Sequence, residues 1–180
     1  MSSKERILKA AGQFFGAKPY AEVSIAPILA TADVQPPTMY YHFGDKEGLY
    51  VAWVQEAFGP LRTHLTIRQT ATLADGLAAY SLIYFNMVNF DVPQVVRDVE
   101  SLVRTESKEQ VFGAYFQAVY EPLCAVLIEG MERGELPSGP IGRIADLFLA
   151  GVYAIRAQID QDPAGTSTWL ASRFLHGHHL

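Results

Sequence analysis

Cys124 is the only cysteine in 180 residues, which excludes an intrachain disulfide framework and a cysteine-rich zinc site. Its setting, Pro122-Leu123-Cys124-Ala125-Val126-Leu127, is apolar and reads as a buried, inert thiol. Charge is scarce too. Asp, Glu, Lys and Arg make up 18% of the chain against 49% hydrophobic residues, so core material is ample and the composition is not that of a disordered polymer. Uninterrupted apolar runs stop short of the roughly 18 residues that suggest a membrane span. Ser2-Ser3-Lys4-Glu5-Arg6 leads directly into an amphipathic pattern rather than a secretion signal, so a soluble cytoplasmic protein with no membrane partner is expected. Nucleophile elbow, glycine-rich phosphate loop and His-Glu-x-x-His helix are all missing, which points away from an enzyme and from any cofactor. His176, His178 and His179 have no accompanying carboxylates, so no metal site is expected there. Repeats, low-complexity tracts and alternating strand patterns are absent as well. The length then suits one compact domain or two joined small ones, and the fold class is all-α.

What is present is helical periodicity. Ser2 and Glu5 form a capping box ahead of Ile7, Ala11, Phe14 and Phe15, predicting a helix over about 3–17 that Lys18-Pro19-Tyr20 ends. A second helix is predicted from Ser24 to Thr31 or Ala32, a turn at Asp33-Val34, and a third from Gln35-Pro36-Pro37 to Phe43. Asp45 is a strong N-cap for a long fourth helix, which Pro60 kinks or ends. Further helices are expected around Leu73–Tyr84, over about 94–105, and from Val111 onward, the last bending at Pro122 toward Gly134. After the 135–140 loop come a helix through Ile144–Ile159 and a short final one around Trp169–Leu175. The net charge of −5 is carried entirely by residues 51–180; residues 1–50 hold five basic and five acidic side chains. That balance disfavours nonspecific coating of nucleic acid but leaves room for a small DNA-binding module near the N-terminus.

Residues 24–43 fit a helix-turn-helix, in which a braced second helix enters a major groove about 12 Å wide. Ile28, Leu29, Val34, Met39 and Phe43 are placed inward, leaving Gln35, Thr38, Tyr40 and His42 outward; a small helical bundle has the same alternation. Together with Ile7, Ala10-Ala11, Phe14-Phe15, Ser24, Ile28-Leu29 and Ala32-Asp33-Val34, the segment Thr38-Met39-Tyr40-Tyr41-His42-Phe43-Gly44-Asp45-Lys46-Glu47-Gly48-Leu49 resembles the N-terminal domain of TetR-family transcriptional regulators. The resemblance covers about residues 4–53. It implies a homodimeric, usually repressive DNA-binding protein: residues 1–48 form a three-helix DNA-binding domain, and residues 49–180 a larger helical ligand-binding and dimerisation domain. It also implies that Gln35, Thr38, Tyr40, Tyr41, His42 and Lys46 approach a partly palindromic double-stranded operator. Their chemistry suits that role. Gln35 can read an adenine edge or bind phosphate, Thr38 offers a hydroxyl and a methyl, and Tyr40 can stack on sugar or touch a thymine methyl. Lys46 brings charge to the backbone beside a helix N-terminus. Tyr41 could equally be a core tyrosine, and His42 could simply bridge helices. Three residues depart from the family pattern: Asp33 and Pro37 at usually glycine or small positions, and Gln35 at the usual serine or threonine cap.

Trp53, Phe58, Tyr84, Phe85, Phe112, Tyr115 and Phe116 are more aromatic material than a small bundle needs and are expected to line a pocket for an apolar or aromatic effector, a fully packed core being the alternative. Arg97, Glu100 and Arg104 fall on one helical face as a surface ion-pair network or as anchors for a polar ligand end. Ile144, Phe148, Gly151, Val152, Ile155 and Ile159, with Trp169 and Phe174, are expected to form a four-helix interface between two copies, although one side of that stripe could instead close the monomer core. The expected function is sequence-specific transcriptional repression relieved by a small molecule. The alternative is an all-α ligand-binding or interaction protein with weak DNA binding.

Overall fold

The computed structural model describes residues 1–66, 70–156, 158 and 162–177, and within them the regular secondary structure is helical. Its helices are α1 (Ser3–Phe15), α2 (Ile25–Ala32), α3 (Pro36–Phe43), α4 (Lys46–Leu65), α5 (Leu73–Met87), α6 (Val92–Asp98), α7 (Thr105–Tyr115), α8 (Glu121–Glu132), α9 (Ile141–Arg156) and α10 (Pro163–His176). The starts follow from capping chemistry. Ser2 and Glu5 form the reciprocal capping box, and Asp45, Thr72, Asp91 and Asp162 accept backbone N–H groups from Gly48, Asp75, Gln94 and Gly165 at the heads of α4, α5, α6 and α10. Ser24 precedes α2 as expected but makes no side-chain capping bond.

Prolines account for most differences from the sequence reading. α4 runs through Pro60 rather than ending there: Glu56, whose carbonyl loses its donor, is exposed and can be satisfied by water. Pro93 does not delay α6 to residue 94, because it occupies the first turn, where a missing N–H costs no intrahelical bond. α6 closes at Asp98 in a 3-10 turn, Val99–Ser101, short of the expected 105. α7 begins at Thr105, earlier than 111, and a π turn, Phe116–Tyr120, carries it into α8 just ahead of Pro122. Such a register shift lets a helix absorb a residue that cannot donate. The resulting Thr105–Glu132 stretch is by length and composition apolar enough to cross a membrane, a feature that a search for unbroken runs misses because Gln110, Gln117 and Glu121 interrupt it. Its Val111, Ala118, Val119, Leu123, Val126 and Leu127 are buried in protein.

By packing, the chain divides into two compact units, residues 1–60 with 89–115, and residues 61–88 with 116–180. This division differs from a cut at residue 48, since Tyr50, Trp53 and Phe58 of α4 belong to the first core. There α1 lies against α2 and α3. Phe15, Tyr50 and Trp53 form an aromatic cluster with ring centroids 5.0–5.7 Å apart. Gly12 permits the close approach of Trp53, whose Nε1 would lie 3.0 Å from a Cβ at that position.

In the second unit, α10 packs along α5, and α8 lies against α5 and α9. Tyr80 donates its buried hydroxyl to the Val119 carbonyl at 2.8 Å. Phe148 is fully buried, its ring 5.0 Å from Phe174 and 6.2 Å from Tyr80. Truncating Phe148 to Ala removes the centre of this core and should cost about 3–5 kcal/mol of unfolding free energy. Urea denaturation followed by circular dichroism measures it, and a loss below about 1 kcal/mol would mean that the ring is not buried in solution.

Candidate nucleic-acid interface

The α2–α3 pair is built around four buried apolar side chains, Ile28, Leu29, Ala32 and Met39. Asp33 closes the turn between them in the left-handed region, φ 51°, which Asp tolerates better than most residues because its short side chain can bond locally. Its carboxylate is exposed, with Arg6 Nη1 at 3.8 Å. Pro36 and Pro37 fill the first turn of α3, and Gln35 caps it through backbone geometry alone, its side chain making no capping bond. Val34 and Phe43, placed inward from sequence, are only half-buried.

The residues expected to face DNA separate into two groups. Gln35, Tyr40 and Tyr41 are exposed, Tyr41 to 86%, so the core-tyrosine alternative for Tyr41 is excluded. Thr38, His42 and Lys46 are half-buried. His42 Nε2 lies 3.0 Å from the Ser3 hydroxyl, so this ring does bridge α3 to the start of α1. Lys46 places its ammonium 4.2 Å from the centre of the Tyr20 ring, a cation–π contact. Burial lowers the Lys46 pKa, and the Asp98 charge opposes that shift. Lys46 is therefore turned partly inward rather than standing as a free surface cation.

A polar network that sequence reasoning did not find joins this region to residues 91–107. Asp98 is buried and accepts three bonds, from the Tyr20 backbone N–H at 3.1 Å, the Tyr50 hydroxyl at 3.0 Å and Gln94 Nε2 at 2.8 Å. Burial, then the charge and the hydrogen bond of Asp98, push the Tyr50 phenol far above its ordinary range. Glu47 is also buried, and its carboxylate accepts the Val103 and Arg104 backbone N–H groups at 3.0 Å each. Burial by itself would raise the Glu47 pKa, but these bonds, with Ser107 and the Arg104 charge, outweigh it and hold the carboxyl below its ordinary range. Arg104 then reaches both oxygens of Asp45, at 2.7 and 3.0 Å. The partners are distant in sequence and no single-helix pattern marks them. The expectation that Arg97, Glu100 and Arg104 share one helical face is corrected here: α6 ends at Asp98, Arg97 turns to Asp91 and Gln94, and Arg104 lies beyond the 3-10 turn.

The other expected sites fare unevenly. Trp53, Phe58, Phe112 and Tyr115 belong to the first unit and Tyr84, Phe85 and Phe116 to the second. In the first, Phe90 meets both Trp53 and Phe58 edge-on at 5.6 and 5.4 Å, so these two act as ring packing. Phe112 and Phe116 are 49% and 40% exposed rather than buried. A cleft of about 600 Å³ within the second unit is lined by Arg62, Thr66, Gln117, Glu121, Pro122 and Ala125, none of them an expected pocket residue. On α9, Phe148 and Val152 turn inward with Ala145 and Leu149, and a Cβ on Gly151 would meet Leu170 of the same chain at 3.1 Å. These residues close the monomer core rather than an outer face. Ile144, Ile155 and Phe174 are half-buried, and among the described residues Leu147 and Trp169 are the exposed large apolar side chains of α9 and α10, at 67% and 48%. Cys124 is half-buried rather than enclosed, its thiol pKa raised by burial. Among the described residues no group of His, Cys, Asp and Glu could hold a metal ion. His178, His179 and Ile159 lie outside the described residues.

Comparison with known proteins agrees with the N-terminal geometry. Residues 7–53 match the family model described as bacterial regulatory proteins, tetR family. No curated protein matches the chain by sequence. Solved structures with a similar fold include the TetR family transcriptional regulator PfmR from Thermus thermophilus (TM-score 0.74, 18% identity, 97% of this chain and 100% of that one). FadR from Bacillus subtilis in complex with stearoyl-CoA is similar (0.77, 18%, 97% and 99%), as is the regulator MbdR from Azoarcus sp. CIB (0.73, 17%, 99% and 100%).

Glu47 supplies a prediction about acid stability. A carboxyl whose pKa is depressed in the folded protein stabilises it above the unfolded value, about 4.3, and that contribution is lost as pH falls through the folded value. Glu47→Gln should therefore lower stability by about 1–3 kcal/mol at pH 7 and flatten the loss of stability below about pH 5. Parallel thermal melts of both proteins between pH 7 and 3 check this; curves that stay equally separated throughout would contradict it.

Proposed function

With residues 7–53 matching the tetR family of bacterial regulatory proteins and the whole chain sharing its fold with solved regulators, we propose that this TetR-type DNA-binding regulator is a homodimeric repressor that reads a partly palindromic operator through α3 and is released by a small apolar or aromatic effector. The observation that carries the reading is the asymmetry of α3: Met39 is fully buried, while Gln35, Tyr40 and Tyr41 stand in solvent. Residues 1–48 are the reading head and 49–180 the regulatory part, a division of labour rather than of packing. Tyr40, Tyr41 and Gln35 contact DNA directly; Thr38 is partly accessible, His42 holds α3 to α1, and Lys46 contributes charge from its place over Tyr20. Two such heads fit successive major grooves about 34–36 Å apart.

The effector remains of the apolar or aromatic class, for which the stearoyl-CoA bound by B. subtilis FadR is a precedent within the fold. Within the first unit, Trp53 and Phe58 serve as ring packing, and Phe112 is the half-exposed ring of the expected set. For assembly, the outward side of α9 and α10 is favoured, with Leu147 and Trp169 at its apolar centre.

Selection of bound fragments from random duplex DNA tests the reading. Recovery of a short inverted repeat is expected; recovery of no sequence preference would favour an all-α ligand-binding protein with weak DNA affinity. On the selected duplex, Tyr40→Ala should lose about 1–3 kcal/mol of affinity with helicity intact. Replacing both Leu147 and Trp169 with Glu should convert the dimer to folded monomer in sedimentation, because the apolar contact is replaced by buried like charges; a dimer of unchanged strength would place the interface elsewhere.

A further inference from the structure

Asp45 presents a difficulty for a reading head. It caps α4 immediately after α3, next to Lys46, and its carboxylate is about half exposed. A negative charge at that place repels the phosphates that the neighbouring residues are meant to approach, over the roughly 8–10 Å in which charges act through physiological salt. The structure holds a compensating charge that lies outside the three-helix segment. Arg104 forks onto both oxygens of Asp45, at 2.7 and 3.0 Å, and its Nε also reaches Ser107 Oγ at 3.2 Å. Its own backbone is fixed independently of this pair, since the buried Glu47 carboxylate binds the N–H groups of Val103 and Arg104. Backbone anchor and charged fork together hold one guanidinium at one place.

We infer that Arg104 is a determinant of DNA affinity that acts through Asp45, neutralising and orienting the acidic cap beside the recognition helix without itself touching DNA. The inference rests on the DNA-binding reading above. The Arg104–Asp45 pair is exposed and contributes little to stability; Arg104 Nε also lies 3.4 Å from the buried Glu47 carboxylate, which keeps its two backbone N–H bonds when the guanidinium is removed, so the fold stands. For DNA the same loss matters more, because each subunit would then present an uncompensated carboxylate to the phosphate backbone. Asp45→Asn keeps an oxygen that can accept the Gly48 N–H while removing the charge, so the two roles of Asp45 can be separated.

The test compares wild type, Arg104→Gln, Asp45→Asn and the double variant, as full chains, on the duplex selected by wild type, by fluorescence anisotropy at 0.15 M salt and a temperature at which thermal melts show all four folded. Arg104→Gln should weaken binding by about 3–10-fold in keeping with screened charge interactions, Asp45→Asn, which leaves the guanidinium unopposed, should bind at least as tightly as wild type, and the double variant should return to within about twofold. A direct phosphate contact by Arg104, or a purely structural role, predicts no rescue by Asp45→Asn. Absence of rescue, or wild-type affinity in Arg104→Gln, overturns the inference. Should wild type select no duplex at all, it is the DNA-binding reading that fails.

Discussion

Glu47 must be ionised and buried together, and the conformation of residues 102–107 is the way that conflict is resolved. A carboxylate withdrawn from water needs its lone pairs filled. The chain fills them with two consecutive backbone N–H groups and completes the arrangement with Ser107 and Arg104. Those N–H groups lie in the two residues immediately before α7, so the same bonds fix the chain as it enters that helix. Because Glu47 sits in the first turn of α4, just after α3 and Asp45, the geometry of residues 43–48 and that of residues 102–107 are specified together. Removal of the carboxylate would leave the Val103 and Arg104 N–H groups without their acceptor.

Asp98 repeats this solution nearby. It accepts from the chain at Tyr20, from Tyr50 in α4 and from Gln94 in its own helix, and Lys46 stands close enough to feel its charge. Two buried carboxylates from distant parts of the sequence thus tie the 3-10 turn Tyr20–Glu22 after α1, the head of α4 and the α6–α7 connection into one unit. This is why packing divides the chain as it does: residues 89–115 are bound to the N-terminal helices by polar bonds of high sequence separation as well as by Trp53 and Phe58 against Phe90.

Local signals were the legible ones. The capping box at Ser2 and Glu5, the Asp45 cap, the short helices on either side of Asp33 and the prolines tolerated at the start of α3 follow from rules that act within four residues, and each appears in the structure. Harder to read was which side of a helix faces which neighbour. The stripe of α9 contains Phe148 and Val152, which a periodicity argument cannot divide between the chain's own core and a partner; burial against Tyr80, Phe174 and Leu170 makes that division. The aromatic cluster failed similarly, since ring-on-ring packing and a lined cavity have the same composition. Arg104 was misplaced because the expected helix over 94–105 hid the end of α6 at Asp98, and a three- and four-residue spacing carries no information once the helix that gives it meaning has stopped.

The two prolines at the head of α3 bear on how such a protein would search for its site. A helix start normally offers backbone donors that grip any phosphate, whatever the sequence. Pro36 and Pro37 withhold two of them, Lys46 is drawn toward Tyr20, and the chain as a whole is acidic at −5. Each feature subtracts from attachment that ignores sequence, the attachment through which regulators spend most of their time on the wrong DNA. On the proposed reading, such a head would dwell only briefly on each nonspecific stretch of DNA. Occupancy of the right site would then rest on the exposed Tyr40 and Tyr41 of one short helix.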